Sequence, residues 1–112
     1  MNNLNNVILE GNLTRDPELK YTPSGTEVCL MSVANNRYYK KADEKVQEVS
    51  YIDVEAWAGL GVTCKEYLSK GRGVRVVGRL KQDRWTDADG NSRSRVKLVA
   101  EHVDFKPIFN AS

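Results

Sequence analysis

The run Arg79-Leu80-Lys81-Gln82-Asp83-Arg84-Trp85, then Thr86-Asp87-Ala88-Asp89-Gly90-Asn91-Ser92, then Arg93-Ser94-Arg95-Val96-Lys97-Leu98 leaves this chain few folding options. It reads as one long β-hairpin. Asp89-Gly90 supplies the turn, because glycine takes a positive φ without steric cost. Arg79, Lys81, Arg84, Arg93, Arg95 and Lys97 lie along the two arms, and only Asp83 opposes them before the tip. Strand side chains alternate, so Arg93, Arg95 and Lys97 share one face. Trp85 stands among these charges. Cations interleaved with an aromatic ring suit a nucleic-acid strand, with charge for phosphates and a flat surface for bases. The same residues equally suit a solvated basic hairpin whose Trp lies over its own sheet.

The rest of the chain decides between these readings. Its 112 residues suffice for one domain with a modest core. Net charge is only +2, so the distribution of charge matters more than the total. Gly71 to Lys97 carries eight cations against three anions, a surplus larger than that of the whole chain. Cys29 and Cys64 sit in apolar patterns and read as small buried hydrophobes rather than a disulfide or metal site. The polar start Met1-Asn2-Asn3-Leu4-Asn5-Asn6 is not a secretory signal. No run approaches the ~20 apolar residues that a membrane helix needs. A soluble protein of the cytoplasm without membrane contact is expected.

In chain order, Leu4 to Leu13 is a first strand, and Gly11 marks a bend within it. Two turns follow, Arg15-Asp16-Pro17-Glu18 and Lys20 to Thr26. Thr26 to Tyr39 is a long strand. Val28, Leu30, Ser32 and Ala34 lie on one face of it, and Cys29, Met31 and Val33 on the other. Its polar end, Asn35-Asn36-Arg37-Tyr38-Tyr39-Lys40, should project beyond the core. Lys41 to Gln47 reads as a charged loop. In the third strand, Glu48 to Trp57, the aliphatic face Ile52, Val54 and Ala56 turns inward. Tyr51, Asp53, Glu55 and Trp57 then turn outward. Ala58 to Lys70 is the one helix candidate, with Leu60, Cys64, Tyr67 and Leu68 on its apolar face and Gly71 as its cap. Gly73 to Leu80 is a fourth strand with Val74, Val76, Gly78 and Leu80 inward, and the return arm runs on towards Phe105. Such alternating, half-buried strands argue against a parallel α/β sheet. The chain is therefore expected to be all-β: an OB-fold, a five-stranded Greek-key barrel with one helix between strands 3 and 4 and long hairpin extensions. Barrels of this kind commonly bind oligonucleotides or oligosaccharides.

Val7-Ile8-Leu9-Glu10-Gly11-Asn12-Leu13, Asp16-Pro17-Glu18 and Tyr21-Thr22-Pro23-Ser24-Gly25-Thr26 resemble the opening of bacterial single-stranded DNA-binding proteins. Tyr51 to Trp57, Glu66-Tyr67-Leu68-Ser69-Lys70-Gly71 and Val77-Gly78-Arg79-Leu80 ahead of Trp85 continue that resemblance in family order over roughly residues 4 to 105. It implies sequence-independent binding and protection of single-stranded DNA in replication, recombination and repair. It also implies a homotetramer, with a dimer as the alternative, and a nucleoid-associated location. Base stacking falls on Tyr39, Tyr51, Trp57 and Trp85, and basic contacts on Lys70, Lys81 and Arg84. Charge adds Arg37, Lys40, Arg72, Arg93, Arg95 and Lys97 to the set.

Departures from the family pattern are informative. Tyr39 and Tyr51 stand where the best-known members carry Trp, which stacking tolerates because every base has a π-face. Glu55 lies on the expected binding face. An acid there repels phosphate unless a neighbouring cation pairs with it. The linker and acidic C-terminal tip that recruit replication and repair proteins in the family do not appear in this sequence, so residues 1–112 are expected to be a single binding domain, either trimmed from a longer protein or a form without that recruiting role. Asp53 and Glu55, two apart on one strand face, could hold a metal, but no nucleophile-base set or phosphate-cradling glycine loop accompanies them. No enzyme activity and no cofactor are expected. A primosomal accessory subunit, an OB-fold dimer with weak DNA binding, is the alternative function. Tyr67 is assigned to the core, and Tyr38, opposite Tyr39, to an interface.

Overall fold

The computed structural model describes residues 2–107. Seven elements follow one another: β1 (Val7–Leu13), β2 (Glu18–Tyr21), β3 (Glu27–Lys41), β4 (Glu44–Trp57), α1 (Ala58–Tyr67), β5 (Gly73–Thr86) and β6 (Ser92–Phe105). The sheet order is β1-β5-β6-β4-β3-β2, and a further pairing of β1 with β3 closes five of the strands into a barrel. β4 and β6 run parallel, while the other pairs are antiparallel. This is the expected five-stranded OB-type barrel with its helix between the third and fourth barrel strands. The fold subsumes one element that turn residues concealed. β2 is a short edge strand on Glu27 to Leu30, held by a tight turn in which the Thr22 N–H donates to Thr26 O.

Closure depends on β1 changing partners. Val7 to Asn12 pair with β5, and Asn12 and Leu13 also pair with β3. Gly11 lies at this crossing, where a side chain would strike the carbonyl of Ala34. The core inside the barrel is aliphatic: Met31, Val33, Val54, Ala56, Val74, Val76 and Leu98, with Cys29 and Cys64 both buried as free thiols. Desolvation pushes the Cys64 thiol up to about 12, which keeps it protonated and apolar in behaviour.

Four local expectations need correction. The stretch from Lys41 to Gln47 is not a loop, because β3 and β4 stay paired to Lys41↔Glu44. Ala42 and Asp43, at φ 50° and 67°, make a two-residue turn. That geometry matches the right-handed twist of the strands it joins, and neither residue there is glycine to announce it. The helix ends at Tyr67, not Lys70. Leu68 is already extended (φ −105°, ψ 152°), and Gly71 instead donates its N–H to Leu13 O. Tyr67 is 59% exposed and rests its ring against Phe105 at 6.4 Å, so it is not core. Leu80, expected inward, is also exposed, because β5 by then has left the barrel as one arm of the hairpin.

The hairpin tip is organised by Asp87. Its Oδ1 accepts from the N–H groups of Asp89 (3.0 Å) and Asn91 (2.9 Å), and its Oδ2 from Arg93 Nε (2.8 Å). The Arg93 hydrogen bond, followed by those two backbone bonds, lowers its pKa below the ordinary 3.8. A carboxylate whose folded pKa is depressed stabilises at pH above its unfolded value, and that stabilisation is lost as pH falls through the lowered one. The amide signals of Asp89 and Asn91 should therefore titrate together in acid, with a midpoint below that of a free aspartate. A midpoint at or above the free value would mean that Asp87 does not hold the tip in solution.

Candidate nucleic-acid interface

Pairing register sorts the expected site residues by face. On β4, Tyr51, Asp53, Glu55 and Trp57 point away from the core residues Val54 and Ala56. Their partners on β3 are Ala34, Ser32, Leu30 and Val28, so the outer face of β3 continues through Asn36, Tyr38 and Lys40. Tyr38, not Tyr39, thus shares the face of Tyr51 and Trp57. Tyr39 and Arg37 lie on the opposite side of the hairpin, where the Arg37 guanidinium sits 5.6 Å from the Tyr39 ring and 3.9 Å from Glu48. Lys45 Nζ stands 5.4 Å from the Tyr38 ring, and Lys40 is paired directly across from Lys45. Both tyrosines of the outer face are open to solvent, Tyr51 at 69% and Tyr38 at 58%.

On the β5–β6 arm, Lys81, Asp83 and Trp85 face Lys97, Arg95 and Arg93 across the ladder. These side chains reach over to β4: Arg95 lies 3.8 Å from Asp53, and Lys97 meets Glu55. The arm's basic row and the β4 aromatics therefore form one surface. Arg84 lies one residue out of phase, bonded to Gln82 Oε1 (3.0 Å) on the other pleat face. Lys70 and Arg72 are remote from the arm. They line a cleft with Asn12, Gly71 and Lys106 at the end of the barrel, and Arg72 donates to the carbonyls of Lys106 and Tyr67.

A second cleft, of about 500 Å³, is lined by Trp57, Arg79 and Lys81 together with Val99, Ala100 and Glu101. Arg79 belongs with the candidate contacts although it was absent from the expected set. Its signal in the sequence was its place in the cationic arm, two residues before Lys81.

Lys97 departs most from expectation. It was expected to meet phosphate, but only 6% of it is exposed. Its Nζ lies 2.5 Å from both Glu55 Oε2 and Asp83 Oδ2. Burial alone would lower its pKa, but hydrogen bonds to Asp83 and Glu55 outweigh that and raise it. Lys97 in turn holds the Asp83 carboxyl below the usual range. The remaining oxygen of Glu55 accepts from Trp57 Nε1 at 3.1 Å. Lys97 is thus the cation that Glu55 requires. Asp53 and Glu55 are each held by a cation, and no cluster of three or more metal-ligating side chains occurs among the described residues. No helix there is long and apolar enough to cross a membrane.

The chain is 46% identical over 103 residues to the single-stranded DNA-binding protein of Treponema pallidum, covering 92% of this chain and 58% of that one. It is 41% identical over 102 residues to the single-stranded DNA-binding protein of Deinococcus radiodurans, covering 90% and 34% respectively. The chain thus spans between about a third and three-fifths of these curated relatives. A solved structure, a Plasmodium falciparum SSB complex with single-stranded DNA, superposes with a TM-score of 0.83 over 96% of this chain and 98% of that one, at 20% identity, which establishes a shared fold. The model of the single-strand binding protein family matches residues 4–106, and the chain belongs to that family.

Proposed function

We propose that this domain binds single-stranded DNA without sequence preference and without catalysis, protecting it during replication, recombination and repair. One observation carries the reading: Tyr38, Tyr51, Trp57 and Trp85 lie on one continuous surface with Lys81, Arg93 and Arg95. Bases leave their own stack for the rings, and the cations follow the phosphates and release their counterions. Duplex DNA offers no free base faces to those rings. Arg79 joins the contacts through the Trp57 cleft, Lys40 through the Tyr38 arm, and Lys70 and Arg72 extend the basic path around the barrel end.

The test is a fluorescence titration with long oligo-dT at two salt concentrations, read through Trp57 and Trp85, with a matched duplex as control. Quenching by the single strand alone, saturating at a fixed number of nucleotides per chain, supports the proposal. A folded protein with no quenching would shift the reading to an OB-fold interaction subunit.

The surface reading distinguishes two adjacent tyrosines. Tyr38→Ala should weaken oligo-dT binding about tenfold, within the ~1–3 kcal/mol that stacking contributes per base. Tyr39→Ala should change it less than twofold. The reverse order would put the strand on the other side of the β3–β4 hairpin.

A homotetramer acting on the nucleoid in the cytoplasm is part of the same proposal. Exposed Ile8, Leu80 and Val96 leave apolar surface for contacts between copies. Light scattering at four times the 12.6 kDa chain mass would support it, and a mass of one or two chains would count against it.

A further inference from the structure

We propose that Lys97 is a positioning residue that seats the Trp57 ring through Glu55, rather than a contact to the phosphate backbone. The inference rests on the single-strand binding reading and deepens it. By alternation Lys97 follows Arg93 and Arg95 on the outer face of β6, where a free cation would meet phosphate. Its ammonium is instead covered, with two of its three N–H donors directed at Glu55 and Asp83.

The linkage crosses three strands: Asp83 on β5, Lys97 on β6, Glu55 on β4, and from Glu55 to the indole N–H of Trp57. It is possible because β4 and β6 are parallel neighbours, with Glu55 in register with Val99 and Val54 with Leu98. Each link has a physical consequence. A carboxylate as covered as Glu55, 10% exposed at its side chain, is strongly unfavourable without a cation. Paired, it stays in place and offers Oε1 to the indole. The ring is thereby fixed over the cleft that also holds Arg79 and Lys81 before any base arrives. A side chain ordered in advance loses less freedom on binding, and that difference appears as affinity. Lys97 also keeps two carboxylate charges from facing the incoming phosphates uncompensated.

A phosphate contact and a positioning residue leave different signatures. Removing a phosphate contact lowers the dependence of log K on log salt by ~0.7 for single strands. Removing a positioning residue weakens binding and leaves that slope alone, and the loss is repaired by discharging the acid it neutralised. The experiment uses the whole chain with Trp85→Phe, so that Trp57 alone reports, and titrates oligo-dT at several salt concentrations. Lys97→Met is expected to weaken binding about tenfold, a loss within the range of one stacked base. The slope should stay unchanged and the Trp57 emission maximum of the free protein should move. Adding Glu55→Gln should restore binding to within about twofold and return the emission, because the amide oxygen still accepts from the indole and no buried carboxylate remains beside it.

The proposal is overturned if the double variant stays weak with its slope lowered by ~0.7, which is the signature of a phosphate contact. It is also overturned if Lys97→Met binds like its parent with unmoved emission. Should Lys97→Met fail to fold, the double variant decides by the same two criteria. Should the Trp85→Phe parent bind no single strand while folded, the binding reading fails. The positioning role is then judged on free-protein emission alone: moved by Lys97→Met and restored by Glu55→Gln in support, unmoved against.

Discussion

Trp57→Ala is expected to weaken oligo-dT binding about 10- to 100-fold, and to do so equally at low and high salt. Stacking of a base on an aromatic ring contributes ~1–3 kcal/mol and involves no counterions. Trp57 is the most constrained of the four rings, tied to Glu55 and lining the cleft with Arg79 and Lys81. Lys81→Ala should behave differently. Its contribution comes from releasing ions condensed on one phosphate, so a tenfold rise in salt should remove about fivefold of its effect, following the slope of ~0.7 for single strands. The lysine variant should therefore converge on wild type as salt rises, while the tryptophan variant stays displaced by a constant amount. Parallel behaviour of the two variants would mean that stacking and charge are not separate contributions on this surface.

The pattern of what the sequence revealed has a physical basis. Barrel, helix position and the basic arm were legible because each rests on local signals: alternation, a turn residue with positive φ, and the density of cations. Faces were legible where one side of a strand is plainly aliphatic, as with Ile52, Val54 and Ala56 on β4. They were not legible on β3, whose first half is covered on both sides, with Val28 and Ser32 buried as well as Cys29 and Val33. Choosing between Tyr38 and Tyr39 there requires the register Ala34↔Tyr51, a contact between distant residues. Lys97 shows a second limit. Alternation correctly placed it beside Arg95, but its covering by Glu55 and Asp83 follows from the parallel approach of β4 to β6, which no local pattern encodes. Ala42-Asp43 marks a third, since a two-residue turn lacking glycine has little to distinguish it from a charged loop.

The largest loss of stability should follow from Gly78→Ala, because the phase of the whole binding arm is set at that residue. The β5–β6 ladder shifts register there: Val77 pairs with His102, but Gly78 pairs with Ala100, leaving Glu101 as an extra residue in β6. The shift changes which side of β6 faces inward. Val103 lies in the core before it, whereas Ala100 and Leu98 do so after it. Were the ladder unbroken, with Glu101 paired in turn, strict alternation from Val103 would carry Lys97, Arg95 and Arg93 to the core side and Leu98 to the outside. At this bulge β5 and β6 approach so closely that a β-carbon on residue 78 would overlap the carbonyl oxygen of Val99 and lie 2.9 Å from Leu98 Cδ2. Backbone cannot yield as a flexible side chain does. The strands must separate or the bulge must move, at an expected loss of about 3 kcal/mol or more, comparable to the larger core substitutions. For a domain of this size that lowers the melting temperature by roughly 10 °C or more. Gly59→Ala is the matched control, since a β-carbon there meets nothing within 4 Å and alanine favours helix. It should leave stability unchanged or slightly raised. A Gly78→Ala protein that melts with wild type would show that the bulge tolerates a side chain. A variant that melts early yet retains full affinity for oligo-dT below its transition would show that the arm keeps its phase without the close approach.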